Sequence, residues 1–330
     1  MAQFYYAVTD IGTLPGGNSS NGWSISDRGE VVGSAQIAAG AGRAFVSSPG
    51  GQLRDLGTLP GGNSSEASGI SVCGMIAGGS TFQGSANHNH ACIWSGGTGP
   101  QDIGTLPGDN DSGANAVNAC GEVVGNSTLT TGGHLRAFIW SKAAGMIELA
   151  LLPGFTDAGT HSLNNLGQTV GYCTGPNSPS QGFVWSRSAG MRLVGALPGG
   201  AASDAVGIND RGEVVGSSDL GAGTKAHAVL WDRAGCAHDL GLLPGGTWSG
   251  AYGVNVFGTV VGSGDCANSS SRALIWNATD GIRDLNTLIP ATSGWELQMA
   301  RAVNVSGQIV GTGTVGGQQH AFLLTPNCFL

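Results

Sequence analysis

Hydrophobic and polar positions follow one pattern that recurs every 45 to 47 residues along the chain. Each copy begins acidic-Leu-Gly, continues through Leu-Pro-Gly-Gly to Ile-Asn, and ends in the apolar runs Gly-Glu-Val-Val-Gly and Ala-Phe-Ile-Trp. Short apolar or alternating runs between glycines and prolines are typical of β-strands, and no helix-period segment of useful length is present. A fixed period of this length predicts a repeat architecture. The seven copies start at Asp10, Asp55, Asp102, Glu148, Leu193, Asp239 and Asp284.

Four strands can be placed in each copy, and the fifth copy shows them clearly. Residues 205–209 and 213–217 form two strands around a tight turn at 210–212. Residues 227–231 form a third strand and residues 237–240 a fourth. Four antiparallel strands per copy, repeated radially, predict the blade of a β-propeller.

The two ends of the chain complement each other. The last copy ends after its third strand, at 320–324, whereas residues 4–11 form a spare strand ahead of the first copy. Joining the two completes the last blade and removes two open sheet edges. We therefore predict an all-β fold: a seven-bladed β-propeller of four-stranded antiparallel blades, closed by the N-terminal strand.

A chain of 330 residues would ordinarily suggest two domains, but each repeat buries its apolar face only against its neighbours. We therefore expect a single domain over 1–330. Its repeats are 10–54, 55–101, 102–147, 148–192, 193–238, 239–283 and 284–328.

Charge and hydropathy exclude two classes of partner. The net charge is -8, only 10% of the residues are charged, and lysine occurs only at Lys142 and Lys225, so the cationic surface that nucleic acids require is missing. We also expect no membrane span, since no apolar run of 18 residues exists. The first residues show neither the basic stretch nor the apolar core of a signal peptide.

The sequence predicts neither a metal site nor a cofactor. The seven cysteines have no paired spacing, and Cys73 and Cys120 occupy the same turn position of adjacent copies, so we expect mostly reduced thiols. Nucleophile-elbow, zinc-protease and Walker motifs are absent. Gly311-x-Gly313-x-x-Gly316 matches a dinucleotide fingerprint by letter but leads into a strand.

Two recurring positions have structural interpretations. The third strands begin with His, Arg or Gln, among them His90, His227 and His320, and we expect hydrogen bonds from these to the repeated Asp or to a nearby loop. Three histidines on different outer strands cannot converge on one zinc ion. Tryptophans at the ends of these strands are expected to form the core between blades; they are Trp94, Trp140, Trp185, Trp231 and Trp276.

The signatures at 55–62, 208–216 and 320–322 together resemble the bacterial HAF repeat family, described as probable extracellular repeats. The last copy, 284–290 followed by Ser-Gly-Trp, is similar to the closing repeat of such proteins. The resemblance covers all seven copies, although His-Ala-Phe itself occurs only once. It implies the repeat fold and a link to export or the cell surface, and it brings no catalytic motif.

Function in a symmetric scaffold is expected where symmetry is broken. One first-strand position differs in every copy: Trp23, Ser68, Asn115, His161, Val206, Tyr252 and Arg301. The position two residues earlier also varies: Asn21, Glu66, Gly113, Gly159, Asp204, Gly250 and Met299. If the first strand is innermost, the period of two places both sets on the face that borders the central channel.

We derive three functional hypotheses from this face. The first is a binding module that holds a polar or carbohydrate-like ligand at the channel. The second is an enzyme of hydrolase or lyase type with His161 as acid or base, Arg301 at an anionic group, and Glu66 or Asp204 as partner. The third is a platform for a protein partner. The candidate ligand-binding residues are Trp23, Asn115, Tyr252, Trp248, Trp295 and Glu296.

Trp295 and Glu296 belong to an enlarged loop, 291–296. It is the seventh of the loops that cross from one copy to the next after each Leu-Pro-Gly, here called the crossing loops. Its tip could fold over the channel as a lid or pack down as a plug. The similarity of this copy to closing repeats favours the plug.

Overall fold

The computed structural model describes residues 5–49, 52–84, 88–128, 132–221, 223–267 and 270–327. Within these ranges the chain forms seven four-stranded antiparallel sheets, with two short 3-10 turns at Leu285–Leu288 and Ala291–Ser293. Phe4, at the start of the predicted closing strand, and Cys328, at the end of the predicted last repeat, lie outside the described residues.

The strands are numbered in chain order, starting with β1 (Tyr6–Gly12). Blade 1 contains β2 (Ser20–Ile25), β3 (Val31–Gln36), β4 (Gly42–Ser47) and β5 (Leu53–Asp55). Blade 2 contains β6 (Ser65–Ile70), β7 (Ile76–Thr81), β8 (Asn89–Trp94) and β9 (Gln101–Gly104). Blade 3 contains β10 (Asp111–Val117), β11 (Val123–Thr128), β12 (Leu135–Ser141) and β13 (Gly145–Glu148).

Blade 4 contains β14 (Asp157–Leu163), β15 (Thr169–Gly175), β16 (Ser178–Ser186) and β17 (Gly190–Leu193). Blade 5 contains β18 (Ser203–Ile208), β19 (Val214–Ser218), β20 (His227–Trp231) and β21 (Ala237–Asp239). Blade 6 contains β22 (Ser249–Val254), β23 (Val260–Asp265), β24 (Ser271–Asn277) and β25 (Gly281–Asp284). Blade 7 contains β26 (Trp295–Val303), β27 (Ile309–Val315) and β28 (Gln318–Pro326), followed in the sheet by β1.

The closing strand β1 pairs antiparallel with β28, from Tyr6 opposite Pro326 to Gly12 opposite Ala321. A side-chain contact supports this pairing, since His320 Nδ1 lies 2.9 Å from Asp10 Oδ2. The predicted seven-bladed propeller, closed by its N-terminal strand, is therefore confirmed.

The core is divided into seven clusters, one between each pair of neighbouring blades. Trp94, Trp140 and Trp231 are buried members of three clusters, and Trp185 and Trp276 pack against two more. The prediction that these tryptophans form the core between blades is confirmed. Because each blade buries its face only against the next, stability depends on an unbroken ring.

The Asn of each Ile-Asn signature links its blade to the next one. Asn209 Oδ1 accepts from the backbone N–H of Arg211 and Glu213, while its Nδ2 donates to the Asn255 carbonyl oxygen at 2.9 Å. The same bond runs from Asn304 to the Ser26 carbonyl and joins blade 7 to blade 1. The donors of this belt are Asn118, Asn164, Asn209, Asn255 and Asn304.

Blade 1 provides a natural comparison, because Ser26 occupies the Asn position there. The Ser26 hydroxyl accepts from the N–H groups of Arg28 and Glu30, so the turn is still capped. A serine thus keeps the contacts within the blade and loses the amide that reaches the next blade.

We predict that Asn209→Ser lowers the free energy of unfolding by about 1 kcal/mol, since a serine hydroxyl can replace the amide toward Glu213, as the serine of blade 1 does toward its own glutamate, and only the bond to the Asn255 carbonyl is lost. Asn209→Ala should cost about 2 to 3 kcal/mol because the turn amides of Arg211 and Glu213 also lose their acceptor. Urea unfolding of both variants measures the difference. An Asn209→Ser variant as stable as the wild type would show that the bond between blades contributes nothing, and equal stability of the two variants would show that the turn caps contribute nothing.

Candidate functional site

Every first strand has a β-bulge at the same place. The register between first and second strands shifts between Gly22 and Ser24 in blade 1, for example, and skips the residue between them. A bulge leaves one residue unpaired and re-aims its side chain. The skipped residues are the seven that vary among the copies: Trp23, Ser68, Asn115, His161, Val206, Tyr252 and Arg301.

The glycine that ends the Val-Val-Gly signature, or a counterpart such as Ile-Ala-Gly at 76–78 in blade 2, allows this bulge to form. A Cβ added at Gly78 would lie 1.9 Å from the Glu66 carbonyl oxygen of the first strand, and one at Gly216 would lie 1.9 Å from the Asp204 carbonyl oxygen. The same clash, at 1.9 to 2.1 Å, arises in all seven blades. A side chain here would push the first strand away and remove the bulge.

The bulged residues converge on one central cavity. The cavity has a volume of about 420 Å³, and all seven varied side chains line it, together with Glu66. The first strands are therefore innermost, as expected. Comparison of the seven copies thus identified residues from seven separate segments that the fold brings together.

Arg301 is held between two aromatic rings of the cavity wall. Its guanidinium carbon lies 4.5 Å from the centre of the Trp23 ring and 5.0 Å from the centre of the Tyr252 ring. Both distances are within the range of cation–π attraction. The Tyr252 hydroxyl lies 2.9 Å from the Ser263 hydroxyl, which fixes the ring in turn. Burial lowers the pKa of Arg301, and Tyr252 and Glu66 oppose that shift.

The polar atoms of this cluster are not all paired. Arg301 Nε and Trp23 Nε1 are buried, and neither has a hydrogen-bond partner among the described residues. Arg301 also makes no ion pair within the described part of the chain. The guanidinium is therefore positioned by stacking, while its hydrogen-bonding capacity is left for another group.

Glu66 lies on the wall of the same cavity, one blade from Trp23. Its side chain is open to the lumen, yet the channel walls surround it, and this burial raises the pKa of the Glu66 carboxyl. Arg301 and a hydrogen bond from Ser68 act in the opposite direction and are smaller. Burial of the carboxylate thus outweighs its attraction to Arg301.

A second polar cluster occupies the wall at blades 4 and 5. His161 Nε2 lies 3.2 Å from Asp204 Oδ1, although the geometry gives neither atom a hydrogen-bond partner in the described residues. The His161 ring also lies 5.5 Å from the Tyr172 ring, centre to centre. Burial, followed by the charges of Asp204 and Asp157, raises the pKa of Tyr172. Beside this cluster, Asn115 donates to the Thr160 carbonyl at 2.5 Å.

Two residues after each bulged residue the first strand carries an aliphatic residue. These seven residues, here called the aliphatic collar, are Ile25, Ile70, Val117, Leu163, Ile208, Val254 and Val303, and all of them line a second recess of the channel. Their side chains pack in the core between blades, and all except Ile25 also line the central cavity. The collar therefore lies between the central cavity and the turns that join first to second strands, which line the recess.

A cleft between blades 2 and 3 extends the cavity sideways. It has a volume of about 400 Å³ and shares Glu66, Ser68 and Asn115 with the central cavity. Two glycines open it, because a Cβ at Gly113 would meet no atom within 4 Å and one at Gly79 would meet none closer than 3.9 Å. The sequence analysis missed this cleft, although two glycines at variable positions of adjacent blades were a signal for it.

Three of the predicted ligand-binding residues lie elsewhere. Trp295 begins β26 and packs edge-on against Phe322, 6.1 Å between ring centres, in the core between blades 6 and 7. Glu296 pairs with Arg272 of blade 6 at 3.1 Å. No residue of the 291–296 loop lines the cavity. The loop is thus neither a lid nor a plug of that cavity. Trp248 is likewise absent from that lining, and its backbone N–H is bound by Asp265.

The His and Arg residues near the start of the third strands make the expected structural contacts. His90 and His227 lie 2.8 and 2.9 Å from Asp102 and Asp239, and Arg136 pairs with Glu148. Within the described ranges no three His, Cys, Asp or Glu side chains form a metal-binding cluster. Five of the cysteines in those ranges are free thiols: Cys73, Cys92, Cys120, Cys173 and Cys236. Among the described residues, no helix is long and apolar enough to cross a membrane.

Neither a protein-family model nor a curated protein matches the chain. Solved structures do match it. A puromycin hydrolase is similar with a TM-score of 0.56 and 13% identity, over 98% of this chain and 55% of that one. A prolyl endopeptidase is similar with a TM-score of 0.56 and 10% identity, over 94% of this chain and 46% of that one.

A fucose-specific lectin from Aleuria aurantia is similar with a TM-score of 0.46 and 11% identity, over 86% of this chain and 96% of that one. This score is too low to support a conclusion about function. The chain spans about half the length of the two enzymes that it matches. At such identities the likeness shows the β-propeller fold alone.

The raised pKa of Glu66 predicts a pH-dependent stability. Its contribution is complete below the usual pKa of 4.5 and is lost as the pH rises through the higher pKa of the folded state. Glu66→Gln, which stays neutral, should therefore be more stable than the wild type at neutral pH, and this advantage should shrink in acid. Urea unfolding of the wild type and of Glu66→Gln at neutral and at acid pH measures this difference. A wild type more stable than Glu66→Gln at neutral pH would contradict the prediction.

Proposed function

We propose that the chain is a binding module that holds one small polar ligand, with an anionic group, in the central cavity. The observation on which this rests is the Arg301 guanidinium, fixed between Trp23 and Tyr252 on the cavity wall without an ion pair among the described residues. Arg301 is half-buried, and partial burial of a cation that has no ion pair is costly, so a ligand that supplies the opposite charge would be favoured.

The stacking also limits what the aromatic residues can do. Because Arg301 covers a face of the Trp23 and Tyr252 rings, those faces are occupied and hold the cation instead of a sugar. The planar guanidinium favours a carboxylate or a similar oxyanion, which it binds with two parallel hydrogen bonds. Stacking on two rings fixes the guanidinium of Arg301 before the ligand binds and reduces the conformational entropy lost on binding.

The rest of the cavity favours a ligand with hydroxyl groups. Ser68, Asn115, His161 and Glu66 offer donors and acceptors around the lumen. A lumen of about 420 Å³ falls within the range of small-molecule pockets. A carbohydrate-like acid matches this combination of charge, polarity and size.

A second candidate is an enzyme of hydrolase or lyase type that uses the same cavity. The contact between His161 and Asp204 supports it, since a carboxylate beside an imidazole can orient it for general acid or base catalysis. Arg301 would stabilise negative charge that develops on the substrate. Turnover of p-nitrophenyl glucuronide by the wild type, lost in His161→Gln, would favour this function over binding alone.

A protein partner at the central channel face is the third candidate, and it needs no occupied cavity. The resemblance of the repeats to the HAF family further supports a role outside the cell or at its surface. The protein partner and the extracellular role are both inferred from the sequence.

We predict that D-glucuronate raises the melting temperature and binds measurably in calorimetry, whereas D-glucose, which lacks the carboxylate, does not. Arg301→Gln should weaken glucuronate binding at least about tenfold, because it removes the charged fork. Arg283→Gln is the matched control, since Arg283 also lies over an aromatic ring, Tyr5, but outside the cavity. Equal binding of the two sugars, absence of glucuronate binding, or full binding by Arg301→Gln would contradict the proposal.

A further inference from the structure

The face of the ring opposite the crossing loops, here called the turn face, is formed by the seven turns that join first to second strands. These turns are 26–29, 71–74, 118–121, 164–167, 209–212, 255–258 and 304–307. Each is closed by a backbone hydrogen bond from its glycine, as from Gly258 to Asn255. Their central side chains therefore project around the lower end of the channel.

Exposed apolar side chains concentrate on the turn face. Leu166 is 68% and Phe257 71% exposed, and Val72 and Val305 are also exposed. These four are the majority of the seven large hydrophobic residues exposed in the described part of the chain. Isolated exposed apolar residues are ordinary, but such a concentration on one face marks an interaction surface.

The charges of the turn face are few and balanced. Only two of the seven turns have charged central residues, Asp27-Arg28 in blade 1 and Asp210-Arg211 in blade 5, and all four side chains are exposed. Neither arginine forms an ion pair within the described residues. The charges at the centres of the seven turns thus sum to zero although the chain has a net charge of -8, which limits the repulsion between two copies of this face.

We propose that the turn face is the interface of a face-to-face homodimer, with a twofold axis that lies in the interface and passes through the turn of blade 3. A closed twofold dimer requires a self-complementary surface. An in-plane axis through blade 3 places blade 1 opposite blade 5, blade 2 opposite blade 4, and blade 6 opposite blade 7. Of the in-plane axes that keep blades in register, only this one sets both charged turns against charged turns.

The same axis matches the apolar turns. Phe257 of one copy meets Val305 of the second copy, and Val72 meets the turn that contains Leu166. Each Asp–Arg turn meets another that carries one charge of each sign, so an arginine of one copy can reach an aspartate of the other. Phe257, the most exposed of these side chains, would be the main apolar anchor of the interface.

The dimer is compatible with the cavity described above. The aliphatic collar lies between the cavity and the turn face. The cavity of each copy therefore stays outside the proposed interface. The proposal does not depend on the ligand that occupies it.

The axis makes a specific prediction about cysteines. Cys120 lies in the blade 3 turn, so the two copies of Cys120 would meet at the axis, and this thiol is exposed. Exposed Cys236 lies in an outer turn of blade 5, opposite blade 1, which has no cysteine. A short bis-maleimide should therefore yield a covalent dimer on a denaturing gel, which disappears in Cys120→Ser and persists in Cys236→Ser.

Light scattering coupled to size-exclusion chromatography tests the oligomeric state directly. We expect a mass of twice 32.9 kDa for the wild type and a weakening of at least about tenfold in dimer affinity for Phe257→Asp and for Arg211→Glu. Leu193→Asp, an equally drastic change at an exposed leucine on β17, should leave the dimer intact, and unchanged melting curves would show that each variant folds. A monomeric wild type, a dimer that survives Phe257→Asp, or a cross-link that survives Cys120→Ser would overturn the proposal.

Discussion

In every blade a glycine of the second strand lies so close to a carbonyl oxygen of the first strand that no side chain fits between them. The approach allows the first strand to bulge, and the bulge turns one side chain per blade into the channel. The scaffold residues can therefore be repeated without change while the bulged residue is free to differ. One backbone constraint thus separates the residues that build the ring from those that give it a function.

The repeated polar residues close the ring and leave the cavity undisturbed. The asparagine belt joins blades below the collar, and serine hydroxyls such as Ser249 Oγ join them above, by accepting from Ala228 of the preceding blade. The apolar clusters fill the space between blades. Eight buried side-chain atoms have no hydrogen-bond partner among the described residues, and those of Arg301, Trp23 and His161 belong to residues that line the cavity.

The sequence predicted the blades, the closing strand and the ring of varied residues because each depends on a local signature that recurs. It did not predict the bulge, since a period of two assumes a regular strand. It also could not show that Arg301 reaches both Trp23 and Tyr252, which are neighbours only after the ring closes. Trp295 and Glu296 were misplaced because an enlarged loop indicates a change of path but not its direction, and the apolar gap between blades 6 and 7 accepts the indole.

The central claim is that the glycine of Val-Val-Gly makes the bulge possible, and adjacent residues of β7 test it. A Cβ at Gly78 would lie 1.9 Å from the Glu66 carbonyl oxygen, whereas one at Gly79 would meet nothing closer than 3.9 Å. Urea unfolding should show that Gly78→Ala loses about 3 kcal/mol or more, while Gly79→Ala changes little. Equal stability of the two variants would contradict the account, because the close approach would then not determine the path of the first strand.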